Sequence, residues 1–129
     1  MRKLHLCVGA VSLLAFLASG AYMRFYARPS LLPDGPHLMY LSRHIYILCV
    51  ALLHLILGAY FTDATSRWAV VAQRLGSALL VVSAGFLIAA FVGEPVMGRP
   101  RTGLSTSGLY SMFGGALLHV GAKVGSKAA

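Results

Sequence analysis

Acid is almost missing from this chain. Asp34, Asp63 and Glu94 are its only carboxylates, against eleven Lys and Arg, for a net charge of +8 over 129 residues. Each sits in a different connection between apolar segments. Nothing in the spacing of Asp34 and Glu94 demands paired-acid catalysis. None of the apolar segments carries an acid of the kind on which proton-coupled transporters rely. A nucleophile elbow, a Walker loop, HExxH and CxxC are all absent. Cysteine is limited to Cys7 and Cys49. They fall near the starts of two segments that run in opposite directions. That places them near opposite membrane faces, beyond the roughly 7 Å Cα separation a disulfide tolerates. The reading is two small buried thiols. Charged residues make up 11% of the chain, against about 25% in soluble domains.

What the chain does have is hydrophobic length. Some 58% of its residues are hydrophobic, gathered in four runs without Asp, Glu, Lys or Arg: Leu4–Tyr22, Ile45–Thr62, Leu75–Gly93 and Leu104–Gly121. A bilayer core is crossed by about 20 apolar residues. The fourth run is the weakest, being interrupted by glycines and hydroxyls. The expected fold is an all-α membrane protein, a four-transmembrane-helix bundle running up-down-up-down. It forms a single transmembrane domain over 1–129, with spans at about 4–22, 45–62, 75–93 and 104–121. Pro29, Pro33, Gly35 and Pro36 break the helix in a Pro-rich loop over 29–36. Pro36 suits the first position of the second helix, with Asp34 or Gly35 as cap. Run on to Thr62, that helix would be about 40 Å long. Its first turns, through His44, would then lie in the interface.

The basic residues flank the spans, where they contact anionic headgroups. None forms a run alternating with aromatics, so nucleic acid is not expected as a partner. Arg24, Arg28, Trp68 and Arg74 are the expected residues of the lipid interface. With four spans, one side collects Arg2, Lys3, Arg67, Arg74, Lys123 and Lys127, and the other Arg24, Arg28, Arg43, Arg99 and Arg101. This six-to-five split, with the Arg2-Lys3 start and the Lys-bearing tail, leans to both termini cytoplasmic. Met1–Tyr22 resembles a secretory signal ending in Ala18-Ser19-Gly20-Ala21. Its apolar run is about 18 residues, longer than the usual 7 to 15, and is read as a retained anchor.

Five histidines are prominent in so small a protein. His54 and His119 fall inside spans two and four, which run the same way and bring them to similar depth. The plain reading is neutral imidazoles satisfied by neighbouring helices. The sharper one is axial ligation of a haem b, with Arg43 and Arg67 as propionate partners. His37 and His44, with Asp34 and Met39, form a second candidate group, for copper or zinc. Residues seven apart on a helix lie about 10 Å apart along its axis, which argues against one shared ion. Glu94 is expected to pair in water with Arg99 or Arg101. Ser105-Thr106-Ser107-Gly108 reads as a helix start with hydroxyl caps.

Small residues make the positive case. Gly85–Ala89 and Ser111–Gly115 are small-xxx-small pairs, with Gly114 beside the second, and such faces let helix backbones approach in lipid. They serve either packing of span three on span four or docking onto another membrane subunit. The leading reading is a non-enzymatic accessory or scaffold subunit of a membrane complex or homo-oligomer. The haem-binding electron carrier is the alternative, and an oligomeric small-solute transporter or channel the third.

Overall fold

Helix is the only way a run of apolar residues can satisfy its own backbone without water; three of the four runs lie wholly within one, and the second all but its last residues, Phe61 and Thr62, where the chain turns extended. In a computed structural model, whose described residues are 1–95 and 102–125, α1 covers Arg2–Tyr22, α2 Asp34–Tyr60, α3 Arg67–Gly93 and α4 Gly103–Gly125. The first three helices are long and apolar enough to cross a membrane.

The ends of the helices follow local chemistry. Beyond α1 the chain loosens into a π turn over Met23–Ala27 and a 3₁₀ turn over Pro29–Leu31. Arg28 joins them in the left-handed region, at φ 42° and ψ 62°. The second helix begins two residues before Pro36, behind Pro33. Pro36 still falls in the first turn, where no N–H is needed. Asp34 is therefore not the cap. It lies in the first turn, at the positive end of the dipole. Ser66 caps α3 by accepting from the Ala69 amide at 3.3 Å. Gln73 ties down the preceding connection, accepting from the Ala64 amide at 3.0 Å and donating to the Thr62 carbonyl at 2.8 Å.

Neighbouring helices pack in antiparallel pairs. Gly9 faces Leu55 while Gly58 faces Leu6, so α1 and α2 run in opposite directions. Gly76 faces Gly115 while Gly108 faces Leu87, so α3 and α4 do the same. The tightest backbone approach at these glycines is between Gly76 and Gly115. A Cβ on either would stand within 2.9 Å of the other's carbonyl oxygen. The main apolar core joins Val50 of α2 to Leu80, Ala84 and Leu87 of α3 and Met112 of α4. A second, around Tyr40, Ile47 and Phe91, lies toward the end where α2 begins.

The cysteines correct the reading from sequence. Cys7 and Cys49 are free thiols, but both are exposed. They occupy outward positions on α1 and α2, because the inward ones are taken by His5, Gly9, Ile47 and Val50.

Candidate functional site

Most of the buried polar groups among the described residues gather in two places. One draws a side chain from every helix. His5 on α1, His54 on α2, Ser77 on α3 and His119 on α4 are all buried, and the first two have no exposed surface. His5 Nδ1 lies 2.9 Å from His54 Nδ1, and His5 Nε2 lies 2.9 Å from Ser77 Oγ. Ser77 Oγ in turn lies 3.2 Å from His119 Nε2. Phe61 packs on the rings of both His5 and His119. One arrangement of protons satisfies this chain with three neutral rings. His119 Nε2–H donates to Ser77, Ser77 O–H donates to His5 Nε2, and His5 Nδ1–H donates to His54 Nδ1. His54 Nε2–H then points at the Leu80 backbone. No well-formed hydrogen bond closes there, and this nitrogen is buried without a partner among the described residues.

His54 and His119 are thus brought to one end of the bundle, as their depths suggested, but through a third imidazole. His5, inside the first apolar run and close behind Arg2 and Lys3, is the residue that sequence reasoning missed. Its signal was available: residue 5 of an ascending helix falls opposite the end of the descending one, where His54 sits. The arrangement does not fit a bis-histidine haem. The ring of His5 packs 5.0 Å from that of His54 and 5.5 Å from that of His119. A macrocycle would need that place. Beside His119 a cavity of about 200 Å³ opens among Tyr60, Phe61, Gln73 and Lys123.

The second polar centre corrects another expectation. Glu94 does not pair in water. Arg99 and Arg101 lie outside the described residues, and its partner is Arg43 of α2, whose Nε donates to Oε2 at 2.7 Å. Both residues are buried. Glu94 Oε1 also accepts from the Ser105 amide at 2.9 Å. A carboxylate at the end of α3 therefore caps the first turn of α4, favoured by the helix dipole. Ser105 is not itself the cap. Its hydroxyl bonds back to the Thr102 carbonyl and receives Arg43 Nη2 at 3.3 Å. Burial by itself would raise the Glu94 carboxyl. The Ser105 amide, the Arg43 guanidinium and the Ser105 hydroxyl outweigh it and hold the group below the usual carboxylate range.

His37 and His44 are given separate surroundings. His44 is held between α1 and α2, its Nδ1 2.8 Å from Ser19 Oγ and its ring stacked 4.1 Å from Phe16. His37 instead lines an open groove of about 590 Å³ with Arg24, Arg28, Ser30, Met23 and Leu41. Among the described residues no group of three His, Cys, Asp or Glu is placed to hold a metal ion. Trp68 and Arg74 are exposed on α3, as are Arg24 and Arg28 beyond α1.

No family model, curated protein or solved structure matches this chain.

The small-residue pairs divide. Gly115 is consumed inside, against Gly76 and Leu80. Ser111 and Gly114 are half-buried at the edge of the same seam. Gly85 and Ala89 point away from it. Both are exposed, and among the described residues nothing lies within 4 Å of where a Cβ on Gly85 would stand.

Proposed function

We propose that this protein is a four-span membrane subunit without catalytic activity, which docks another membrane helix on the outward face of α3. The observation that carries this reading is the division among its small residues. Gly76, Gly108 and Gly115 are used to bring α3 and α4 together. Gly85 and Ala89 form a second small-xxx-small face that the described residues leave open. In lipid, where apolar area alone gives helices little reason to associate, such faces are where close packing is gained. The neighbouring outward residues Val82 and Val92 are apolar and suit a surface covered by lipid or by a second helix.

The fourth crossing is part of the proposal. The 23 residues of α4 reach about 35 Å, and none before Lys123 is ionised. The groups that weaken its hydropathy, Ser105, Gly108 and Gly115, are turned inward. Four crossings in an up-down-up-down bundle put both termini on one side, which the slight excess of basic residues there assigns to the cytoplasm, and the partner is a second copy or a larger complex. The test is native mass spectrometry of gently extracted membranes, comparing the wild type with Gly85→Leu and Ala89→Leu. The wild type is expected as an oligomer or with a partner, and the variants as folded monomers. A wild type that is monomeric and alone refutes the reading.

A further inference from the structure

The open groove at the end of α1 is lined by Arg24, Arg28 and His37 together with Gly20, Met23, Leu31 and Leu41, and among the described residues no carboxylate lines it. The groove lies where the first helix gives way to the π turn and the 3₁₀ turn, just before α2. Arg24 lies over the Phe25 ring at 5.7 Å. Arg28 is held in a left-handed backbone conformation that disfavours any residue but glycine. It forms the corner between the two turns. The nearest acid along the chain, Asp34, stands exposed in the first turn of α2 and is not part of the lining. Two guanidiniums and an imidazole among apolar side chains match a molecule with an anionic head and a hydrocarbon tail. Guanidinium recognises phosphate through paired hydrogen bonds.

We infer that this groove binds one anionic phospholipid, its phosphate held by Arg24, Arg28 and His37 and the start of an acyl chain lying on Met23, Leu31 and Leu41. This rests on the chain being embedded in a bilayer.

The test uses the full chain in two steps. Flotation with vesicles of phosphatidylglycerol or of phosphatidylcholine first establishes insertion. Failure to float with either sinks the membrane reading itself. Native mass spectrometry from nanodiscs holding both lipids in equal amount then reads the groove. The wild type is expected to retain one phosphatidylglycerol in preference to phosphatidylcholine by about thirtyfold, the worth of two basic contacts at a membrane surface. The double variant Arg24→Gln/Arg28→Gly loses that preference. Its glycine relieves the left-handed strain, so its melting temperature does not fall. Lys3→Gln, at the other end of α1, keeps the preference. Insertion without a preference overturns the inference, as does a preference that survives in the double variant. Retention of added inorganic phosphate in place of lipid overturns it too.

Discussion

Cutting the Arg43–Glu94 pair from one side and then from both separates its two contributions, attraction and burial. The pair joins α2 to α3 at 2.7 Å, with both side chains under a tenth exposed. At an effective dielectric of about 20, unit charges about 4 Å apart attract by about 4 kcal/mol. Removing one partner of a buried pair costs about 3–5 kcal/mol, because the other is left charged and unpaired. Glu94→Gln is the more damaging single change. It leaves the guanidinium without a counter-charge, facing a neutral amide and, among the described residues, the hydroxyls of Ser42 and Ser105 at 2.8 and 3.3 Å, and it weakens the cap on the Ser105 amide. Arg43→Met leaves Glu94 bonded to that amide and falls at the lower end of the range. In the double variant no charge is stranded, and its loss is smaller than the sum of the singles by about 2–3 kcal/mol. Reversible unfolding in mixed micelles, followed by circular dichroism, measures all four corners of the cycle. The pH dependence gives a second reading. The folded carboxyl is held below its unfolded value. Its stabilisation is therefore present above the unfolded pKa and lost as pH falls through the folded one. Stability should decline on acidification in the wild type, and less steeply in both Glu94 variants. Single losses that add to within about 0.5 kcal/mol would refute the coupling.

The two kinds of glycine should respond in opposite ways. Gly115→Leu drives carbon into Leu80 and the Gly76 carbonyl, already 2.7 and 2.8 Å from a Cβ. It should part α3 from α4, with a loss of about 1–3 kcal/mol or more in the same unfolding assay. Gly85→Leu, which meets nothing among the described residues, should leave that midpoint unchanged while dissociating the assembly. Ser77→Ala removes the link between His5 and His119. It should cost about 1–3 kcal/mol for the buried nitrogens left bare, read as a lowered midpoint and as faster hydrogen exchange at the start of α1.

How much could be read from the sequence follows from what each feature depends on. The helices depend on uninterrupted apolar length, a local property, so the four runs and the proline break could be read directly. Depth could be read too, since antiparallel runs place residues by simple counting. Arg43 and Glu94 were both assigned to one side, and His54 and His119 to another common level. Azimuth could not be read. Whether Glu94 meets Arg43 or an arginine of its own loop depends on how α2 turns about its axis, and that depends on packing. The same ambiguity put Cys7 and Cys49 inside when their outward angle exposes them. It also left Gly85 and Gly115 indistinguishable. Spans so evenly apolar carry no polar face to mark which side is inward.

That evenness explains the value of the polar side chains the bundle does bury. In the bilayer proposed for this chain, hydrocarbon outside and hydrocarbon inside are nearly equivalent, so Val50, Leu80 and Leu87 fill the core without fixing one angle about the helix axis over another. Directional bonds do fix it. The Arg43–Glu94–Ser105 group ties α2, α3 and the first turn of α4 near one end. The His54–His5–Ser77–His119 chain ties all four helices toward the other. Between them, α1 packs chiefly on α2 and is bonded to α3 through His5 and Ser77. A one-residue slip of α1 would swing His5 by about 100° and strand it in hydrocarbon. His5 therefore ties the register of α1 to α3 and α4, while the Ser19–His44 bond and the Gly9 and Gly58 contacts hold it on α2. With α1 so placed, the groove at its far end and the outward face of α3 keep fixed positions on the same molecule.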